Sequence, residues 1–352
     1  MSINKIEDRR LLGEKTVILF GAGGLLSYAI NELSKLSIEV AYISDNNKNL
    51  HGTKVNGIEI IPPDKIKDKN LPVLITSMYA KEIASQLKSM GIEEYCDFSY
   101  SFDLNRWIEH FDLELINKNI DKINEARELF EDIESKEVFD SILEYRRTLK
   151  PDILLKASYD NYFHPLASPK KNDVIIDGGA WHGDTCINFA SKLKNRCTIY
   201  SFEPEENNFN KLKNSIYKHK LQNTVFPIKK GLYNKECTLF IDTNVDNDMQ
   251  FQIRTTNTGK AIEMISIDIF IKQENISKID FIKMDIEGSE YKALEGSKKT
   301  IERFKPKLAI CIYHLYNDLW EIPLLIKRLN SQYRLYLGHH SQNLLDTVLY
   351  AV

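Results

Sequence analysis

The residues most suited to chemistry fall in three blocks of the chain's second half. The first is Asp177-Gly178-Gly179-Ala180-Trp181-His182-Gly183-Asp184-Thr185, which lies between an apolar strand pattern and a helical one. In an Asp-x-Gly-x-x-x-Gly turn the backbone can approach a ligand closely at Gly179 and Gly183, and Asp177 can accept a hydrogen bond from an ammonium group. A nucleoside cofactor that carries an amino acid suits such a turn, with Ala180, Asp184 and Thr185 beside it. The plain alternative is a sharp strand-to-helix turn with Asp184 as helix cap. The second block, Phe202-Glu203-Pro204, ends the next strand pattern twenty residues after Gly183. A carboxylate there can accept both ribose hydroxyls, which makes Glu203 the expected ribose ligand, flanked by Pro204. The third block is Lys283-Met284-Asp285-Ile286-Glu287-Gly288-Ser289-Glu290. Lys283 and Asp285 are two apart on a predicted strand, so they share a face near the carboxyl end, where open parallel sheets hold ligands. The competing reading is a Lys-Asp pair that satisfies only itself.

These blocks need a parallel sheet to bring them together, and the surrounding pattern supplies one. Strands are expected at 174–177, 198–202, 224–228, 281–284, 308–313, 333–337 and 347–351, with helices at 185–193, around Phe209, Leu212 and Ile216, and at 290–304 and 319–329. The last two strands are joined by a short loop and are expected to pair antiparallel. Upstream, 16–20, 40–43 and 73–76 read as strands, and a helix from Ala80 to Met90 stops at Gly91. Apolar residues at three- and four-residue spacing from Ile120 to Leu143 read as amphipathic helices. The expected organisation is α/β: a smaller Rossmann-like domain over 1–100, a helical connector over 101–165, and over 166–352 a larger Rossmann-like domain whose mostly parallel sheet ends in an antiparallel strand.

The 352 residues are 43% hydrophobic with a net charge of -3, an ordinary globular composition that offers no clustered basic surface, so nucleic acid is not an expected partner. No apolar run approaches the roughly 20 residues of a membrane span. The opening residues Met1 to Arg10 lack a signal peptide's apolar stretch, so a cytoplasmic protein is expected. Five scattered cysteines without a Cys-x-x-Cys pair suggest neither disulfides nor a thiolate metal site. A homodimer is the default expectation for assembly.

The three blocks in this order, with Tyr313-His314, Asp318-Leu319-Trp320-Glu321-Ile322-Pro323 and the stretch 333–340, closely resemble the FkbM-type methyltransferases. The resemblance covers about 160 to 352, and it implies a class I methyltransferase domain that uses S-adenosyl-L-methionine to methylate a hydroxyl oxygen of a sugar or glycan, with a role in surface polysaccharide biosynthesis. Methyl transfer to a hydroxyl requires alignment and removal of a proton. His314 is the expected base, mostly neutral at cellular pH if unperturbed. Asp285 is the alternative base or the orienter of the acceptor, and Lys283 a stabiliser of developing oxyanion charge. Glu287, His339 and His340 are expected along the acceptor pocket. Together with Asp285 and His314 they could make an oxygen-and-imidazole metal site, but no local ligand spacing supports a metal, and none is expected. Where relatives would carry an arginine, this chain has Gly338.

Gly21-Ala22-Gly23-Gly24 and Ser44-Asp45 resemble a nucleotide-sugar-binding domain, which makes Gly21, Gly23, Gly24 and Asp45 its candidate ligands and a nucleotide-linked acceptor its implied partner. A scaffolding role for this unit is the other reading. An NAD-dependent sugar-modifying activity is the rival for the whole chain; none of the 17 tyrosines has the lysine four residues on that short-chain sugar enzymes use.

Overall fold

A computed structural model of the chain describes residues 16–35, 37–98, 108–241, 253–254 and 259–352. The opening segment and the start of the expected connector, 1–15 and 99–107, lie outside these described residues. The chain divides into two units, one taking Met1–Ile120, Glu137–Lys156 and Ser341–Leu345, the other Asp121–Lys136, Ala157–His340 and Asp346–Val352. The stretch expected as a connector is therefore shared between them.

In the first unit the chain runs β1 (Thr16–Phe20), α1 (Leu26–Lys35), β2 (Glu39–Ser44), β3 (Lys54–Val55), β4 (Ile58–Ile61), β5 (Val73–Ile75), α2 (Ala80–Ser89) and β6 (Tyr95–Asp97). The sheet order is β3-β4-β2-β1-β5-β6, parallel except for the β3-β4 hairpin. Val17 to Phe20 and Val73 to Ile75 are all buried. Their unbroken apolar runs are what parallel strands covered on both faces require. Three helices follow, α3 (Leu113–Lys118), α4 (Ile120–Glu128) and α5 (Ile133–Thr148). Of the apolar positions the periodicity picks out, Ile123, Ala126, Phe139 and Ile142 are buried, whereas Ile133 stays exposed. Within the first unit Tyr145 of α5 donates to Asp97 across 2.5 Å, tying the helix to β6.

The second unit holds β7 (Val174–Gly178), α6 (Asp184–Lys192), β8 (Thr198–Phe202), α7 (Glu206–Lys218), β9 (Val225–Ile228), β10 (Gly231–Leu232), β11 (Cys237–Ile241), β12 (Ile253–Arg254), β13 (Lys260–Ile265), α8 (Ile267–Gln273), β14 (Phe281–Met284), α9 (Glu290–Glu295), α10 (Lys298–Phe304), β15 (Lys307–Cys311), α11 (Asp318–Leu329), β16 (Leu335–His339) and β17 (Thr347–Ala351). Seven strands form one sheet in the order β16-β17-β15-β14-β7-β8-β9. All pairs from β15 to β9 are parallel, and β17 pairs antiparallel with both β15 and β16, as expected. A second sheet, β10-β13-β11-β12, has no counterpart in the sequence reading. The helix expected at 290–304 is two helices interrupted at Gly296, where a side chain would meet the Tyr233 carbonyl oxygen at 2.3 Å. No helix among the described residues is long and apolar enough to cross a membrane, and all five cysteines are free. The carboxyl ends of the adjacent strands β14, β7 and β8 place the three chemical blocks along one sheet edge, and His314 follows β15 beside them.

Candidate active site

Strand register builds the floor of the site. Pairing of β7 with β14 sets Lys283 beside Asp177, and both are buried. The Lys283 ammonium donates to the carbonyl oxygens of Gly178 at 3.0 Å and Gly179 at 2.8 Å and lies 3.2 Å from Asp177 Oδ1. Asp177 Oδ2 accepts from the Ser201 hydroxyl. Burial opposes charge on the lysine, yet Asp177 and Asp285 outweigh it and push its pKa up. Lys283 thus holds the glycine turn through the two carbonyl oxygens, while Asp177 Oδ1, close to Lys283, is buried without a hydrogen bond of its own. Gly179 has φ +74°, and a Cβ there would sit 1.7 Å from the Asp285 carbonyl oxygen. Gly179→Ala is expected to cost about 3 kcal/mol, because both backbone strain and a backbone clash follow. A thermal melt checks this, and an unchanged midpoint would refute it.

The turn is closed from the next strand. Phe202 carbonyl oxygen accepts from the Gly179 and Ala180 amides, so buried Ala180 contributes to the turn through its backbone. Glu203 Oε2 accepts from the Trp181 amide and Oε1 from the Glu205 amide, both at 3.0 Å. Burial raises the Glu203 pKa to about 7. Trp181 has φ +43°, its ring stacks on His182, and its indole nitrogen is buried without a hydrogen-bond partner. Gly183, at φ +95°, is the N-cap of α6, which leaves Asp184 exposed as the helix's first residue and Thr185 buried behind it. Asp184 is thus not the cap.

At the ends of β14 and β15 one buried imidazole meets several carboxylates. His314 Nδ1 lies 2.8 Å from Glu290 Oε1, and Nε2 lies 3.3 Å from Asp285 Oδ1 and 3.8 Å from Glu287 Oε2. The ring nitrogens are close to these oxygens but not aligned for straight hydrogen bonds. Glu290 is fully buried and accepts the Ile286 amide on Oε1 and the Gly288 amide on Oε2. Asp285 accepts the Tyr313 hydroxyl on Oδ1 and the Tyr162 hydroxyl on Oδ2. Burial disfavours the charged imidazole, but Glu290, Glu287 and Asp285 outweigh it and hold His314 well above its usual pKa. Burial likewise works against the Asp285 carboxylate, and His314 and Lys283 overcome it, keeping the carboxyl well below the usual range. The carboxylates around His314 thus favour its charged form, whereas a mostly neutral imidazole was expected, and the contacts of Asp285 with Tyr162, Tyr313 and His314 fit an orienting role. Tyr162 is the site member outside the quoted motifs, while Tyr313 and the buried Glu290 stand within them without an expected role in the site.

Residues 177–340 match the methyltransferase FkbM domain family. The chain carries an FkbM methyltransferase domain. Residues 13–96 match a second family, C2185-like, N-terminal. The solved methyltransferase FkbM from Methylobacillus flagellatus KT aligns over 99% of this chain and 93% of its own, with a TM-score of 0.75 and 22% identity, and so shares the fold. The hexuronic acid methyltransferase AglP of Haloferax volcanii is 22% identical over 138 residues, which is 39% of this chain. The chain spans about half of that relative's length, 55%.

The methyl donor of the FkbM domain is S-adenosylmethionine, and the residues present fit it. Glu203 is a buried carboxylate that accepts from two backbone amides and keeps lone pairs for ribose hydroxyl donors. The partnerless indole nitrogen of Trp181 is a further donor beside it. Glu203, Trp181 and the turn from Gly179 to Gly183 would hold the nucleoside, with Pro204 packed beyond Glu203 against Gly231.

Of the FkbM domain's expected acceptor residues, only Glu287 reaches the His314 cluster. His339 is fully buried with Nδ1 2.9 Å from the Thr347 hydroxyl, which corrects its assignment to the pocket. His340 contacts the Tyr350 hydroxyl and the Tyr159 ring. Tyr159 also explains Gly338, since a Cβ there would meet the Tyr159 hydroxyl at 2.5 Å. In the first unit Asp45 accepts the amides of Ala22 and Asn47 at 2.7 Å and so braces the glycine turn. Gly21, at φ +123°, packs against Thr76, whereas Gly23 and Gly24 face open space.

Proposed function

We propose that this chain is an S-adenosylmethionine-dependent O-methyltransferase acting on a hydroxyl of a sugar or glycan in surface polysaccharide assembly. The observation that carries this reading is the polar cluster of Asp285, Glu287, His314, Tyr162 and Tyr313, which adjoins the glycine turn and offers a polyhydroxylated acceptor charged and hydroxyl partners. The relative named for hexuronic acid methylation supports a sugar acceptor. The open turn at Gly23 and Gly24 supports delivery of that sugar on a nucleotide. S-adenosylmethionine would supply an electrophilic methyl group: the acceptor oxygen would take the methyl as the sulfur keeps the electron pair of the broken C–S bond, and the hydroxyl proton would pass to solvent. The chain's own residues position the acceptor hydroxyl at Asp285 and keep the turn rigid through Lys283. Incubating the protein with S-adenosylmethionine and a panel of free and nucleotide-linked hexuronic acids and hexoses tests this. S-adenosylhomocysteine release with a product one methylene heavier is expected, and no turnover with any sugar would reject the reading.

The Glu203 assignment predicts a pH dependence. Ribose hydroxyls donate to the carboxylate, so binding favours its charged form and releases a proton wherever the free protein holds one. With the pKa at about 7, S-adenosylhomocysteine affinity should rise with pH, by up to about tenfold per unit below 7, and level off above it. Calorimetric titration between mildly acidic and mildly basic pH reads this directly. Glu203→Gln should flatten the profile, and a flat profile in the parent protein would remove Glu203 from the ribose site.

A further inference from the structure

We propose that Lys260 is a positioning residue of the cofactor site, holding the Glu203 carboxylate in place for the ribose through Glu205 and so making the second sheet part of that site. Lys260 opens β13, and its ammonium donates to Glu205 Oε1 across 2.6 Å. Glu205 is buried, and Lys260 is the only cation in contact with its carboxylate among the described residues. The other oxygen, Oε2, accepts the Asn208 amide at 2.8 Å and so caps α7. The Glu205 amide donates to Glu203 Oε1 at 3.0 Å. One residue thus fixes the start of α7 with its side chain and one oxygen of the ribose carboxylate with its backbone.

The first turn of α7 also reaches the glycine turn. Asn208 Oδ1 lies 3.0 Å from His182 Nε2, and the His182 ring stacks on Trp181, whose amide donates to Glu203 Oε2. Both Glu203 oxygens are therefore held by backbone that Glu205 orders, Oε1 directly and Oε2 by way of Asn208, His182 and Trp181. The second sheet packs against this corner. β10 pairs with β13 with Gly231 opposite Met264, and a Cβ on Gly231 would lie 3.4 Å from Pro204 and 2.6 Å from the Met264 sulfur. That close fit fixes β13 against the Glu203-Pro204 turn, with Lys260 at its start.

A cation is needed here because two buried carboxylates stand side by side. Burial is the main cause that raises Glu203, and the Glu205 charge adds to it, while the Glu205 and Trp181 amides and Lys283 of β14 pull the other way. Burial works against the Glu205 charge too, but Lys260 and the Asn208 amide outweigh it and hold that carboxyl below its usual range. Without Lys260 the pair keeps a proton to higher pH. Glu203 is the more easily protonated of the two, so the proton settles there and the ribose loses its acceptor.

This role rests on Glu203 being the ribose ligand, and S-adenosylhomocysteine titrations of the full chain from mildly acidic to mildly basic pH separate the two. In Lys260→Met the rise of affinity with pH is expected to move up by about one unit, which is about a tenfold loss below the parent's midpoint and little loss well above it. Lys260→Arg keeps the charge and should stay within about threefold of the parent. In a Glu205→Gln background, Lys260→Met should change affinity by less than about twofold, because the group it acts through is gone. An unmoved profile in Lys260→Met, a loss equal at every pH, or the same loss in the Glu205→Gln background overturns the role. Melting curves show that each variant is folded. Lys260 is 38% exposed and so a safe position; if Glu205→Gln fails to fold, the Met and Arg profiles decide alone. A parent whose affinity does not vary with pH rejects Glu203 as the ribose ligand and Lys260 with it. A parent whose affinity rises with pH, unmoved by Lys260→Met, rejects Lys260 alone.

Discussion

Lys283→Met is expected to destabilise the second unit by about 3 to 5 kcal/mol and to lower its melting temperature by about 10 °C. Lys283 is buried and is the only cation placed against Asp177 among the described residues. Removing it leaves a fully buried carboxylate facing only the Ser201 hydroxyl, and strands the carbonyl oxygens of Gly178 and Gly179. A charge left alone in the interior costs far more than an ion pair contributes, and for that reason one-sided truncation is the damaging change. The double variant Lys283→Met with Asp177→Leu removes both charges and should recover most of the loss. Differential scanning calorimetry of the parent and both variants decides the matter. A single variant within about 1 kcal/mol of the parent would show that the pair does not hold the turn.

This pair also shows where the sequence stops being informative. The two residues lie in blocks far apart in the chain, and only the parallel register of β7 with β14 makes them neighbours. The blocks themselves were legible because each obeys a local rule. Val174 to Asp177 and Phe281 to Met284 are apolar runs of strand length, and the glycines after them mark the turns. The antiparallel end of the sheet followed from the short loop before Thr347. What escaped is the charge environment. His314 was legible as a residue at a strand end, but the pull toward its charged form comes from Glu290, Glu287 and Asp285 converging from another loop. Glu290 closes the third block as a residue at the start of a helix pattern, and nothing local shows that its oxygens fasten the loop that precedes the helix. Tyr162 sits in a stretch with no periodicity, and nothing in its neighbours signals that it reaches Asp285. The second sheet was missed because β10 and β12 are two residues long, too short to show alternation.

Asp285→Asn is expected to lower turnover about 100- to 1,000-fold while S-adenosylhomocysteine affinity stays within about threefold of the parent. The carboxylate gathers two phenol donors and one imidazole, so both of its oxygens act as acceptors. An amide supplies only one acceptor oxygen, and its nitrogen would point a donor at Tyr162, Tyr313 or His314. The constellation that aims the acceptor hydroxyl would then reorganise. Glu203 and the glycine turn are separate from these contacts, so the cofactor side should not notice. Tyr162→Phe and Tyr313→Phe remove one donor each and leave the carboxylate intact, and each should cost no more than about tenfold, the worth of a single hydrogen bond near 1 kcal/mol. Steady-state kinetics on an identified sugar acceptor, paired with calorimetry, separate the two effects. Turnover within tenfold of the parent would take Asp285 out of the reaction, and a parallel loss of S-adenosylhomocysteine binding would mean that it supports the cofactor instead.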